Sequence, residues 1–164
     1  EFDNYFLNDV QIEGVRRYEV VDLEEGVDKT VQMTLENGKM TYPDGSFSTK
    51  SKNITKYITY NEEERVSTSV TGNASGVNSD GTAYEMEITS PIVFTRACAK
   101  ELMHKKGKIP VSGVKRIVKG ESEMIINYGD GECDFVAEVT KDGVTETIDL
   151  KEIKRKRKFR KFKS

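Results

Sequence analysis

The chain has 164 residues, of which 35% are hydrophobic and 33% are charged, and its formal net charge is −2. This length suits one domain, or at most two small ones. The sequence contains no run of the roughly 18 apolar residues that a membrane-spanning helix needs. A single histidine, His104, leaves few routes to acid–base or metal chemistry at neutral pH.

The composition favours an all-β protein. Valine, isoleucine and threonine together number 41, whereas leucine and alanine together number 10. β-branched residues pack well on pleated sheets, and leucine and alanine are more typical of helices. Five pairs of Asp or Asn followed by Gly accept the positive φ angles of tight hairpin turns, and so indicate an antiparallel meander. These pairs are Asn37-Gly38, Asp44-Gly45, Asp80-Gly81, Asp130-Gly131 and Asp142-Gly143.

Nine segments between these turns read as strands, because β-branched or alternating apolar residues dominate them. In chain order they are residues 10–22, 30–36, 46–60, 65–77, 82–89, 109–119, 123–128, 133–141 and 144–150. Residues 97–106 contain no β-branched residue and form either a short helix or an irregular crossover. We therefore expect roughly ten antiparallel strands in a β-sandwich or flattened barrel, with at most one short helix.

Positive charge is concentrated at the end of the chain. The last fourteen residues carry nine basic residues and one acid, a net +8, so the other 150 carry −10. We therefore divide the chain into a β-rich domain, 1–150, and a basic strand extension or tail, 151–164. The tail either docks on the acidic body or binds an anionic partner. Its cations are Lys154, Arg155, Lys156, Arg157, Lys158, Arg160, Lys161 and Lys163.

Six motifs spread over most of residues 2–150 resemble a family of uncharacterised secreted β-rich envelope proteins, often lipoproteins, of the Bacteroidetes phylum. The motifs are FDNYFLN (2–8), YPDGS (42–46), VTGNASG (70–76), ITSP (88–91), VSG (111–113) and YGDGECD (128–134). The resemblance implies an exported protein of the periplasm or cell surface, associated with the outer membrane. It supplies no catalytic residue and no ligand.

Of the two cysteines, Cys133 lies in the YGDGECD motif, and Cys98 is a further position at which the chain resembles the family. In an exported protein an even cysteine count favours a disulfide, because the compartment is oxidising. The alternative is a pair of buried, unpaired thiols in a cytosolic protein.

Asn127, Asp130 and Asp134 place oxygen donors around two glycines and are weak calcium candidates. Their spacing does not match the pattern D-x-[DN]-x-[DN]-G of calcium-binding loops. The alternative is a turn in which Asp130 caps backbone amides.

The leading functional hypothesis is a non-enzymatic envelope module, acting in binding or as an accessory part of an outer-membrane assembly. One alternative is a carbohydrate-active or calcium-dependent enzyme that uses carboxylates on the sheet. Another is polyanion binding through the tail, with lipid head groups or an acidic polymer as the partner. We assign no catalytic residue and no cofactor, and nucleic acid is not an expected partner.

Glu1-Phe2-Asp3 begins without a signal peptide or a lipid-attachment cysteine. In the family that the chain resembles, residues like 2–16 lie downstream of further β-rich sequence. We therefore expect one or more further strands upstream of residue 1. The sheet should then have an edge near the amino terminus that those strands, or a partner chain, would cover.

Overall fold

The computed structural model describes residues 1–21, 28–62, 64–101 and 109–152. These residues form one sheet of ten antiparallel strands and a short helix, which confirms the all-β fold class. The strands are β1 (Phe2–Leu7), β2 (Val10–Val20), β3 (Lys29–Thr41), β4 (Phe47–Asn61), β5 (Glu64–Val77), β6 (Ala83–Thr95), β7 (Ser112–Lys119), β8 (Ser122–Asp130), β9 (Val136–Lys141) and β10 (Val144–Asp149). The helix α1 (Arg96–Glu101) lies between β6 and β7.

The order of strands in the sheet is the order of strands in the chain. In the part of the chain that the structure describes, β1 pairs only with β2 and β10 only with β9. The sheet is therefore open, which excludes a closed barrel and is consistent with a sandwich or flattened shape. Residues 150–152 are also helical, so the described residues contain two short helical stretches rather than the single one expected.

Three of the five Asp-Gly or Asn-Gly pairs occupy hairpin turns, and Asp130-Gly131 begins the connection from β8 to β9. The prediction of a turn at Asn37-Gly38 is wrong, because this pair lies inside β3. Asn37 has a φ of 51°, and the register between β3 and β4 shifts between Leu35 and Gly38. A β-bulge needs the same positive φ as a tight turn, so the dipeptide alone does not distinguish the two.

Strand β6 continues to Thr95, six residues beyond its predicted end at residue 89. The strand passes through Pro91, which lacks the N–H that a regular ladder requires. Its register shifts against β5 between Val70 and Gly72, and against β7 on both sides of Ser90. These irregularities let a central strand contain a proline.

The two faces of the sheet differ in chemistry, because residues directly opposite each other on paired strands share a face. From β2 to β7 one row crosses what we call the polar face: Arg17, Thr34, Asn53, Asn73, Glu87 and Arg116. On β8 the row continues with Ile125. The adjacent row crosses what we call the apolar face: Arg16, Leu35, Lys52, Ala74, Met86, Ile117 and Met124. The alternation predicted for β6 is confirmed, with Tyr84, Met86 and Ile88 half-buried and the residues between them exposed.

The main buried cluster lies at one end of the sheet, beside α1. It contains Cys98, Ile109, Val111 and Phe135, with Val93, Cys133 and Leu150 packed against it. These residues come from the end of β6, from α1, from the segment that leads into β7, and from the connections after β8 and β10. Irregular segments therefore supply most of this core.

Candidate functional site

A disulfide joins Cys98 of α1 to Cys133 of the β8–β9 connection. Their Cα atoms are 5.3 Å apart, within the range of unstrained disulfides, and 35 positions separate them in the chain. The predicted pairing is confirmed. The bond ties the irregular segment after β6 to the loop after β8, and its Cys98 half is buried in the core cluster.

Phe135 fills the centre of this cluster and is 3% exposed. Its backbone adopts a left-handed φ of 61°, and its carbonyl oxygen accepts a hydrogen bond of 2.9 Å from the N–H of Leu150. The Nζ of Lys151 lies 4.5 Å from the centre of the Phe135 ring, a cation–π contact. The first cation of the basic segment is therefore held on the folded domain. The other tail cations, residues 154–163, and His104 lie outside the described residues.

The three calcium candidates line one cavity of about 430 Å³ together with Glu138. Each candidate also accepts a hydrogen bond from the backbone N–H two residues further on: Asn127 from Gly129, Asp130 from Glu132 and Asp134 from Val136. This is the turn-capping arrangement of Asx turns. Within the described ranges, no three His, Cys, Asp or Glu side chains are grouped so that they could hold a metal ion.

Hydrogen bonds lower the pKa of three aspartates in hairpin turns. Asp44 and Asp80 cap their own turns, whereas Asp142 accepts from Ser122 and Glu123 at the start of β8. The Ser46 hydroxyl and then its backbone N–H donate to Asp44 and lower its pKa. The backbone N–H of Thr82 lowers the pKa of Asp80 most strongly, and that of Glu123 does the same for Asp142. These side chains stabilise the turns, since a carboxylate that accepts hydrogen bonds favours its charged form.

The edge strand β1 is a feature that the sequence analysis missed. Its large side chains are strongly exposed, with Phe6 at 61%, Leu7 at 54% and Tyr5 at 48%. The turn into β2 is built by Asn8 and Asp9, both with positive φ, and this glycine-free Asn-Asp pair was the signal available in the sequence. The edge lies near the amino terminus, where the sequence analysis expects one. That upstream strands pair with this edge stays a prediction.

Compared with family models, curated proteins and solved structures, the chain matches none. The resemblance to envelope proteins therefore stays a proposal. Among the helices that the structure describes, none combines the length and apolar character needed to cross a bilayer.

Proposed function

We propose that this chain is a non-enzymatic binding or accessory module of the bacterial cell envelope, exported and associated with the outer membrane. The observation that carries the proposal is β1, an edge strand with four large apolar side chains exposed to solvent. In the same sheet a disulfide joins α1 to the β8–β9 connection, far from β1 in the order of strands.

The disulfide supports export. Disulfides persist in oxidising compartments such as the periplasm and are rare in the bacterial cytosol. The Cys98–Cys133 bond is built into the main buried cluster, as expected of a bond with a structural role. The order and spacing of the family-like motifs support the same compartment.

Strand β1 supports a role in an assembly. In the described part of the chain its second edge has no strand beside it, so backbone N–H and C=O groups are available for pairing. Partner chains commonly bind such an edge by adding a strand, with their side chains contacting alternate residues. The exposed Phe2, Tyr5, Phe6 and Leu7 would give that partner an apolar contact.

The experiment is site-specific photo-crosslinking in native cells, with the full-length gene product carrying benzoylphenylalanine in place of Phe6. We expect a discrete covalent adduct with an envelope protein, recovered from the membrane fraction. The matched control carries the same group in place of Glu87, which is exposed on the polar face. Adducts of identical mass at both positions, or no adduct at Phe6, would contradict the proposed assembly role.

The compartment is tested separately by alkylation and intact-mass measurement of the unfolded protein from native cells. We expect both cysteines to resist alkylation until reductant is added. Two alkylated cysteines in the unreduced sample, with the protein in the cytosolic fraction, would overturn the export proposal.

A further inference from the structure

A groove of about 350 Å³ crosses β2, β3 and β4 near the amino-terminal edge of the sheet. Its floor is Gly38 of β3, and Gly14 of β2 lies beside this glycine. A Cβ on Gly38 would lie 2.7 Å from the carbonyl oxygen of Lys50, and a Cβ on Gly14 would lie 2.8 Å from the Cα of Gly38. Neither position accommodates a side chain, because the backbone of the neighbouring strand, and at Gly38 also the Leu35 side chain, already occupies that space. We call this feature the glycine groove.

One part of the glycine groove is apolar. Ile12 and Met40 are direct partners in the β2–β3 ladder, and Leu35 lies on the opposite side of Gly38, between two cations. Phe2 of β1 adds an aromatic ring to the lining. These side chains are half-buried or exposed, so an alkyl chain lying against them would remove apolar surface from water.

The other part of the groove is cationic. Arg16 and Lys52 are both register partners of Leu35, one on each side, and Lys50 is the partner of Gly38. Lys39 also lines the groove, but its ammonium already lies 3.8 Å from the Glu13 carboxylate and 5.4 Å from the centre of the Phe47 ring.

The cations repel one another. Burial lowers the pKa of Lys52, and the positive charges of Arg16, Lys50 and Lys56 lower it further. A bound anion would remove this repulsion, because an opposite charge at close range favours the protonated ammonium. A ligand that combines a negative head group with an alkyl chain would therefore neutralise the clustered cations and cover the apolar side chains beside them.

We propose that the glycine groove binds a free single-chain fatty carboxylate. Its head would contact Arg16, Lys50 and Lys52, and its alkyl chain would lie along Ile12, Leu35 and Met40. The volume falls within the roughly 300–1,000 Å³ of small-molecule sites. The groove has room for one small ligand beside its clustered cations, so we commit to a free amphiphile and leave binding to an anionic bilayer as an outcome of the test. This inference goes beyond the envelope role and does not depend on export.

The test is titration of the full chain with decanoate below its micelle concentration, followed by calorimetry and by methyl NMR of Ile12, Leu35 and Met40. We expect saturable binding at one site, with acetate and decanol at least tenfold weaker. The double variant Lys50→Gln/Lys52→Gln should weaken decanoate binding at least tenfold. The matched control Lys115→Gln/Lys141→Gln removes two cations from the same face outside the groove, and should change binding less than twofold.

Three outcomes would overturn the proposal. Decanoate binding that does not saturate would show no site, and an equal loss in both double variants would show non-specific charge attraction. Binding to phosphatidylglycerol vesicles without binding to decanoate would identify a membrane surface as the partner instead. Circular dichroism of both variants verifies that each retains its β structure, so a loss of binding reports the groove itself.

Discussion

The two ends of this sheet are built differently. Every side chain of β1 and β2 is half-buried or exposed, whereas Val111 and Phe135 at the other end are 2% and 3% exposed. The carboxyl-terminal end also carries the disulfide. One sheet therefore combines an end with a fixed core and an end whose apolar side chains remain available for contacts.

The difference comes from the connections. Among the described connections of the amino-terminal end, the tight turns at Asn8-Asp9 and Asp44-Gly45 add no layer above the sheet. The segment between β6 and β7 contains α1, and the β8–β9 connection contains Cys133 and Phe135. Such segments add a second layer, and a sheet buries its apolar face only against another layer. Three predictions test this contrast, and a fourth tests the packing within the carboxyl-terminal half of the sheet.

Removing the disulfide should have the largest effect. For a closed loop of this length, chain entropy gives a stabilisation of about 4 kcal/mol. We expect the Cys98→Ser/Cys133→Ser variant to lose about this much free energy of unfolding in urea titrations, as the reduced wild type should. Hydrogen exchange should accelerate in α1 and β9 more than in β3. Equal acceleration at both ends would contradict the contrast.

Truncating a core ring should cost far more than truncating an edge ring. Phe135→Ala should lower the free energy of unfolding by about 3 kcal/mol, since it leaves a cavity beside Val111 and Leu150. Phe6→Ala removes a ring that is 61% exposed, and should change stability by less than about 0.5 kcal/mol. Similar midpoints for the two variants in denaturant would show that the ends are equally packed.

A glycine pair separates steric crowding from backbone strain. Gly113 and Gly143 both have positive φ, 108° and 86°, so alanine is strained at either. A Cβ at Gly113 would contact the carbonyl oxygen of Pro91 and lie 2.6 Å from the Cα of Ile92, whereas Gly143 has nothing within 4 Å. We expect Gly113→Ala to lose about 2 kcal/mol more than Gly143→Ala in denaturant titrations, because crowding adds to strain. An equal loss would mean that β6 can move away from β7.

The smallest effect concerns pH. Hydrogen bonds depress the folded-state pKa of Asp142 below its ordinary value of 3.8. The stability that Asp142 contributes is therefore present above that pH and is lost as pH falls through the folded pKa. We expect the melting temperature to fall below about pH 4, and Asp142→Asn to make this fall shallower. Asp44 serves as the comparison at the other end of the sheet, and Asp44→Asn should act alike. A fall of unchanged steepness in both variants would assign the pH dependence to other groups.

Much of the strand pattern was predictable, because alternation and turn chemistry are local. The face shared by Val31, Met33 and Leu35 follows from a period of two, and the structure pairs these residues along one side of β3. The pairing of Cys98 with Cys133 was predicted because the family resemblance implies an oxidising compartment, in which two cysteines favour a disulfide. Asn37-Gly38 was misleading because this dipeptide suits a β-bulge inside a strand as well as a turn between strands. Pro91 was misleading because a proline is expected at a strand end, but irregular pairing also admits it within a strand.

The site was less predictable for a physical reason. The glycine groove depends on Gly14 and Gly38 lying side by side on different strands, and their positions depend on the register of the β2–β3 ladder. The cations Arg16 and Lys52 are 36 positions apart in the chain and meet only through Leu35. These residues meet because of the register in which neighbouring strands pair, and the alternation of residues along one strand does not determine that register.

Because the strands follow one another in the sheet in the same order as in the chain, the fold should form stepwise and should accept added strands. Each pairing brings together segments that are already close in the chain, so the entropy of closing long loops is small and hairpins can form one after another. An array in which each unit contacts its sequence neighbours tolerates added or deleted units, as solenoid proteins do. We therefore expect that a hairpin inserted at the β1 end would extend the sheet by two strands and leave the registers from β2 to β10 unchanged.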